Sequence, residues 1–211
     1  SALLTGTADA GDAYQEQTLF IGDSNTVRLY ANGLISLQQF CAKEGIGTSA
    51  ALNEGIVTFK KDSSTYTIAQ AVAKMKPRRV VIMLGTNDSK TRYGVSAEEI
   101  GFGMQELIQR IETFFRYNAG RAGACPKILI ISPVPMPQTG GDPEFNAESL
   151  QKQAGLAAVY KAVAEQYGCA FAAAEDWITP EQLGVDFCHF TPEAHRIFAE
   201  KTAELVHQLL D

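Results

Sequence analysis

The sequence is short of several things, and each shortage removes a class of function. Basic residues are in the minority: 18 Lys and Arg stand against 24 Asp and Glu, a net charge of −6. A chain this acidic lacks the basic face that phosphate backbones require, so no nucleic-acid partner is expected. No apolar run approaches the roughly 20 residues that span a bilayer, so no membrane segment is expected either. The N-terminus, Ser1-Ala2-Leu3-Leu4-Thr5-Gly6, has neither the basic region nor the long apolar stretch of an export signal. The chain reads as a trimmed one, and its compartment stays open between cell surface and cytoplasm. The four cysteines, Cys41, Cys125, Cys169 and Cys188, have no close spacing of the kind found in zinc knuckles or redox pairs. They are compatible with disulfides or with buried free thiols. There are only three histidines, and His189 and His195 lack the one-face i, i+4 spacing of a zinc-binding pair. Neither a metal nor a cofactor is expected.

What is present is an ordinary globular composition, 45% hydrophobic and 20% charged over 211 residues. That suits one sizeable domain. Residues 1–16, rich in Ala, Gly, Thr and Asp, read as a flexible lead-in, and 17–211 as the domain. Apolar runs at Thr18–Ile21, Val80–Leu84 and Ile128–Ile131 read as strands ending at Gly22, Gly85 and Ser132-Pro133. Shorter runs near Gln39–Ala42 and Cys169–Ala172 complete a set of five. Between them lie helical patterns. Ser96 with Glu99 fits a capping box ahead of Ile100, Met104, Leu107, Ile108, Ile111 and Phe115 on one face. A second long helix covers Ala147–Tyr167 and stops at Gly168. The last is capped by Thr191, opens on Pro192, and buries Ile197, Phe198, Leu205, Val206 and Leu209. A short helix is expected near Ile68–Lys76, and a β-hairpin insertion near residues 55–67. Alternating strands and helices predict an α/β fold: a three-layer α/β/α sandwich with a five-stranded parallel sheet.

In such sheets ligands bind at the carboxyl ends of the strands, which singles out a few loops. Gly22-Asp23-Ser24-Asn25-Thr26 puts a serine between a strand end and a helix start, where its hydroxyl is exposed or it simply caps the helix. Asp186-Phe187-Cys188-His189 puts a carboxylate three residues before a histidine, close enough to curl back and hold one imidazole nitrogen. His195 and His207, inside the last helix, read as structural or solvated. Gly85-Thr86-Asn87-Asp88 offers an amide donor for a developing oxyanion, or only an Asx turn. Gly45-Ile46-Gly47 offers backbone N–H groups, or only a turn. The serine loop is not Gly-x-Ser-x-Gly, so the α/β-hydrolase nucleophile elbow does not fit.

Taken in order, Gly-Asp-Ser at 22–24, a loop glycine, Gly-Thr-Asn-Asp at 85–88 and Asp-x-x-His at 186–189 resemble the motif blocks of the SGNH/GDSL hydrolase family. Ile131-Ser132-Pro133-Val134-Pro135 resembles the proline-rich stretch of the same enzymes. The resemblance spans nearly the whole chain. It implies a flavodoxin-like fold and carboxylic ester hydrolysis through an acyl-enzyme, without metal or cofactor. It implies Ser24 as nucleophile, His189 as base and Asp186 as its orienting carboxylate. It also implies an oxyanion hole from the N–H groups of Ser24 and Gly45, or Gly47, and the Asn87 side chain. The chain departs from the pattern in having Phe187 where the family often has glycine, and Phe187 is expected to narrow the site or to cover the acyl group.

Three other readings remain. A flavodoxin-like binding module would cradle a flavin phosphate at Ser24-Asn25-Thr26 but would leave Asp186 and His189 without use. An Asp23-dependent phosphohydrolase would need magnesium and a second carboxylate where Asn25 stands. A catalytically dead domain that binds carbohydrate would not need a complete triad. The substrate expected is a short acyl group, acetyl, on a carbohydrate or cell-wall polymer, with a lysophospholipid or acyl thioester as the alternative. The polar loop 135–145 is expected to border the site.

Overall fold

Short apolar runs flanked by turn residues form the strands: β1 (Thr18–Gly22), β2 (Phe40–Ala42), β3 (Val57–Thr58), β4 (Thr65–Tyr66), β5 (Arg79–Met83), β6 (Lys127–Ser132) and β7 (Ala170–Ala173). The helices are α1 (Ser24–Ala31), α2 (Ile68–Met75), α3 (Ala97–Tyr117), α4 (Ala147–Tyr167) and α5 (Pro192–Leu210). The structure, a computed structural model, describes residues 17–36, 39–48, 57–58, 65–118 and 123–210. The lead-in at 1–16, the tip of the 55–67 segment and the Leu209 side chain lie outside the described residues.

Five strands make one sheet in the order β2-β1-β5-β6-β7, with every neighbouring pair parallel. β3 and β4 pair antiparallel with each other. Alternation along the central strands divides the core. Leu19, Ile21, Val80, Ile82, Ile128 and Ile130 face one way, against Ile68 and Val72 of α2, Met104 and Ile108 of α3, and Leu156 and Tyr160 of α4. Val81, Met83, Leu129 and Ile131 face the other way, against Leu29 of α1 and Phe198 and Val206 of α5. Both faces of the sheet are covered, as near-continuous apolar parallel strands require. This is the three-layer α/β/α architecture read from the sequence.

The local signals act as expected. The Ser96 side chain accepts from the Glu99 N–H while Glu99 reaches back, closing the capping box of α3. α4 ends on Gly168 at φ 65°, the left-handed conformation that glycine adopts without strain. Thr191 Oγ1 accepts from the Ala194 N–H at the start of α5. All four cysteines are free thiols. No helix among the described residues is long and apolar enough to cross a membrane.

Candidate active site

The sheet order places β1 and β5 side by side at the point where the chain reverses its winding. After β1 the chain turns into α1 on one face, whereas after β5 it runs toward α3 on the other. The loops leaving these two strands therefore diverge and open a crevice at the carboxyl edge, the usual ligand position in this fold. The β1 loop carries Ser24 and the β5 loop carries Asn87.

Ser24 is the first residue of α1 and does not cap it. The cap is Asp23, whose Oδ1 accepts from the Asn25 N–H at 3.0 Å. Gly22 makes the turn possible, because a Cβ there would lie 1.9 Å from Thr26 Oγ1. Asn25 then reaches across to the loop before α5. Its Nδ2 donates to the Cys188 carbonyl at 3.5 Å and its Oδ1 accepts from the Phe190 N–H at 3.0 Å. One carboxamide thus brackets the main chain of His189 on both sides.

Residues 183–190 fold into a tight loop. Leu183 and Phe190 bridge antiparallel, the Phe187 N–H bonds the Gly184 carbonyl, and the Gly184 N–H bonds the His189 carbonyl. This brings Asp186 under His189. Asp186 Oδ2 lies 2.7 Å from His189 Nδ1, and His189 Nε2 lies 2.7 Å from Ser24 Oγ. The other oxygen, Oδ1, accepts from the N–H groups of Cys188 and His189 at 3.1 and 3.0 Å. Burial works to raise the Asp186 pKa, but the hydrogen bonds from His189 and Cys188 outweigh it and hold it down at about 2. A carboxylate so held stays ionised and orients the imidazole. An imidazole with a hydroxyl on its far nitrogen can accept that hydroxyl's proton. Phe187 adopts φ +56°, a conformation that glycine takes more easily. It is not among the residues that line the cleft, so the expectation that it narrows the site or covers the acyl group is corrected. With this backbone turn, Asp186, Cys188 and His189 face the cleft.

Asn87 opens a short 3-10 turn, Asn87–Ser89, just after β5. Its Nδ2 donates to Asp23 Oδ2 and to the Ile46 carbonyl, both at 3.2 Å. The amide is therefore fixed between the β1 and β2 loops. Gly85 permits this approach: it sits at φ +126°, and a Cβ there would lie 2.6 Å from the hydroxyl of Tyr160. Asp88 does more than shape the turn. Its carboxylate takes the Thr48 N–H at 2.8 and 3.0 Å and the Thr48 hydroxyl at 2.8 Å, pinning the 45–48 loop. The two candidate glycines differ. Gly47 packs on Asp88, where a Cβ would lie 2.6 Å from Oδ1, whereas Gly45, at φ +73°, lines the cleft. Burial pushes the Asp23 carboxyl up to about 6, against the Asn25 N–H and the charge of His189, with Asp88 adding to the rise.

The cleft holds about 270 Å³, and Ser24, Gly45, Asn87 and His189 are among the residues that line it. Met136, Gly140, Asp142 and Phe145 of the proline-rich loop form one wall, as expected for residues 135–145. That loop is fastened at several points. The Met136 N–H bonds Gln153 Oε1 at 2.9 Å, and Gln153 Nε2 bonds Ser89 Oγ at 2.8 Å, joining the wall to the Asn87 turn. The Thr91 N–H bonds the Glu144 carbonyl at 2.8 Å. Gly140 touches the triad loop, since a Cβ there would lie 2.4 Å from the Asp186 carbonyl oxygen. Sequence reasoning missed Asn25, Gln153 and the positioning roles of Asp23 and Asp88. His195 is buried and neither ring nitrogen has a hydrogen-bond partner, while His207 is exposed.

Fold and site together describe an α/β protein whose sheet edge carries a hydroxyl, an imidazole and a carboxylate in series. The chain belongs to the GDSL-like lipase/acylhydrolase family, whose model matches residues 20–197. It is a carboxylic ester hydrolase. No curated protein matches it in sequence. Among solved structures, it is similar to the native aryl esterase of M. smegmatis at 25% identity, covering 91% of this chain and 98% of that one with a TM-score of 0.69. A carbohydrate acetylesterase from Sinorhizobium meliloti shares 24% identity over 89% of this chain and 98% of its own, with a TM-score of 0.65. A GDSL-like lipase from Bacteroides thetaiotaomicron shares the fold at a TM-score of 0.70 and 15% identity, covering 94% and 91%.

Proposed function

We propose that the enzyme removes short acyl groups, acetyl above all, from a carbohydrate, with Ser24, His189 and Asp186 as its triad. The observation that carries this reading is the series Asp186 Oδ2–His189 Nδ1 and His189 Nε2–Ser24 Oγ, each 2.7 Å. Ser24 Oγ attacks the ester carbonyl while His189 Nε2 takes its proton. The tetrahedral intermediate collapses as His189 returns that proton to the departing sugar oxygen, leaving acetyl on Ser24. Water, deprotonated by His189, then releases acetate and restores the serine.

The negative charge that develops on the carbonyl oxygen is met by the Ser24 N–H, the Gly45 N–H and Asn87 Nδ2. The first of these has no intrahelical partner, because it belongs to the opening turn of α1. Asn87 has both amide protons engaged, one on Asp23 and one on the Ile46 carbonyl. The oxyanion competes for the proton held by Ile46, while Asp23 keeps the other and the amide stays in place. A donor that is better used in the transition state than in the ground state lowers the barrier.

The size and lining of the cleft support a short acyl group. Its volume of about 270 Å³ is under the usual range for drug-sized ligands, and its wall mixes Met136 and Phe145 with charged and polar groups. An aryl acetate is the natural first substrate, since the M. smegmatis relative is named an aryl esterase. A p-nitrophenyl ester series of increasing chain length tests the reading. Acetate should be turned over with a kcat/KM at least about tenfold above octanoate, and octanoate preferred over acetate would replace this reading with a lysophospholipase or long-chain thioesterase.

A further inference from the structure

Among the residues that line the cleft are two cations, Arg28 and Lys90, that the mechanism does not use. Arg28 stands one helical turn after Ser24 on α1, and a helical side chain leans back toward the N-terminus, here toward Ser24. Lys90 follows the Asn87 turn, with its ammonium 5.6 Å from the centre of the Phe145 ring. No hydrogen bond or ion pair among the described residues engages either charged head. Some other cations of the protein are paired, Arg92 with Glu144, Arg110 with Glu106, Arg196 with Glu193, Lys152 with Glu148 and Lys201 with Glu204. Arg28 has no such neighbour on its own helix, because Ser24, Asn25, Ala31 and Asn32 occupy the positions three and four residues away.

Both cations lie within electrostatic reach of Cys188. Burial pushes the Cys188 thiol up to about 12, and Asp23 and Asp186 add to the rise, while Lys90 and Arg28 both pull it back down. Cys188 lines the cleft beside His189. Arg28 on α1 and Lys90 on the loop after β5 thus both line the cleft that holds the triad, in a chain whose net charge is −6. The carboxylates Glu44, Asp142 and Asp186 line the same cleft, the last already engaged by His189, so its charge is mixed. Such a lining suits one anionic group on an otherwise neutral, hydroxylated body and disfavours a polyanion.

We propose that Arg28 and Lys90 form an anion subsite beside Ser24 that holds the carboxylate of a sugar acid whose hydroxyl carries the acyl group. This rests on the acyl-carbohydrate reading above and names its substrate class. The Arg28 guanidinium can grip a carboxylate with two parallel N–H groups, and Lys90 adds a point charge.

Two measurements test the subsite and separate its failure from that of the esterase reading. The first compares kcat/KM for mono-O-acetyl glucuronic acid with that for mono-O-acetyl glucose, both on one preparation so that the ratio does not depend on the fraction folded. At low salt the parent should favour the acid about tenfold, and about 0.5 M NaCl should shrink that preference because exposed charges are screened. Arg28→Gln and Lys90→Gln should each cut the ratio severalfold. The second measures binding of free glucuronate and glucose to Ser24→Ala by calorimetry, with and without Arg28→Gln. Arg28-dependent glucuronate binding in a protein that cleaves neither ester would keep the subsite and remove the esterase reading. Equal kcat/KM for the two esters in the parent, or a preference that survives both substitutions, would overturn the subsite.

Discussion

Asp23 Oδ2 holds Asn87 Nδ2 at 3.2 Å, so the residue before Ser24 fixes the amide assigned to the oxyanion. The two strands that carry them are adjacent and in register from Thr18 opposite Arg79 to Gly22 opposite Met83. If Asp23 acts through Asn87, removing both should cost no more than removing Asn87 alone. Asn87→Ala should lower kcat by roughly 10²–10³ with a smaller change in KM. Asp23→Ala should lower kcat by about ten- to a hundredfold, and the double variant should match Asn87→Ala. Steady-state kinetics on the four proteins settle the point, and effects that multiply would mean that Asp23 works independently of Asn87.

Asn25 controls the histidine in the same indirect way. Its carboxamide bonds the Cys188 carbonyl and the Phe190 N–H, on either side of His189. Without it the imidazole loses its register with Ser24, and displacements near 1 Å can cost about a hundredfold in rate. Asn25→Ala should therefore reduce kcat by about ten- to a hundredfold. Asn25→Asp keeps the acceptor for Phe190 and should recover part of the loss. A kcat equal to the parent's in Asn25→Ala would show that the 183–190 loop holds its own shape.

Two buried groups set opposing pH dependences on stability. Burial raises the Asp23 pKa from 3.8 to about 6, so its contribution is fully present below about 3.8 and is lost as pH rises through about 6. Burial lowers the His195 pKa from 6.5 to about 4, with the charges of Arg28 and His189 adding, so its contribution is present above about 6.5 and is lost as pH falls through about 4. Each shift corresponds to about 3 kcal/mol, and over pH 4–6 the two slopes oppose each other. His195→Leu removes one of them. Relative to the parent, the variant should gain about 3 kcal/mol in going from pH 6.5 to pH 4, read from urea unfolding at each pH. A parent-to-variant difference that does not change with pH would contradict the assignment.

Much of this site was legible because its pieces are local. Gly22-Asp23-Ser24, Gly85-Thr86-Asn87-Asp88 and Asp186 to His189 each lie within one loop, and apolar alternation with capping signals placed those loops at one sheet edge. What stayed hidden depends on pairs that only the topology joins. Asp88 meets Thr48 across 40 residues, and Gln153 meets Ser89 across 64. Nothing in the residues near Asp88 or Gln153 names those partners. Phe187 misled for a related reason: its bulk is visible in the sequence, but its direction follows from a positive φ that only the folded loop reveals.

The most direct measurement of the central claim is the site of covalent labelling by a fluorophosphonate, read by intact mass and peptide mapping. The reagent forms a stable adduct only with a serine activated by a neighbouring base and served by an oxyanion hole. The account predicts one adduct per chain, on Ser24, formed in step with loss of esterase activity. It predicts no adduct on Ser24→Ala and strongly slowed labelling of His189→Ala. Labelling at a different serine, with esterase activity retained in Ser24→Ala, would contradict it.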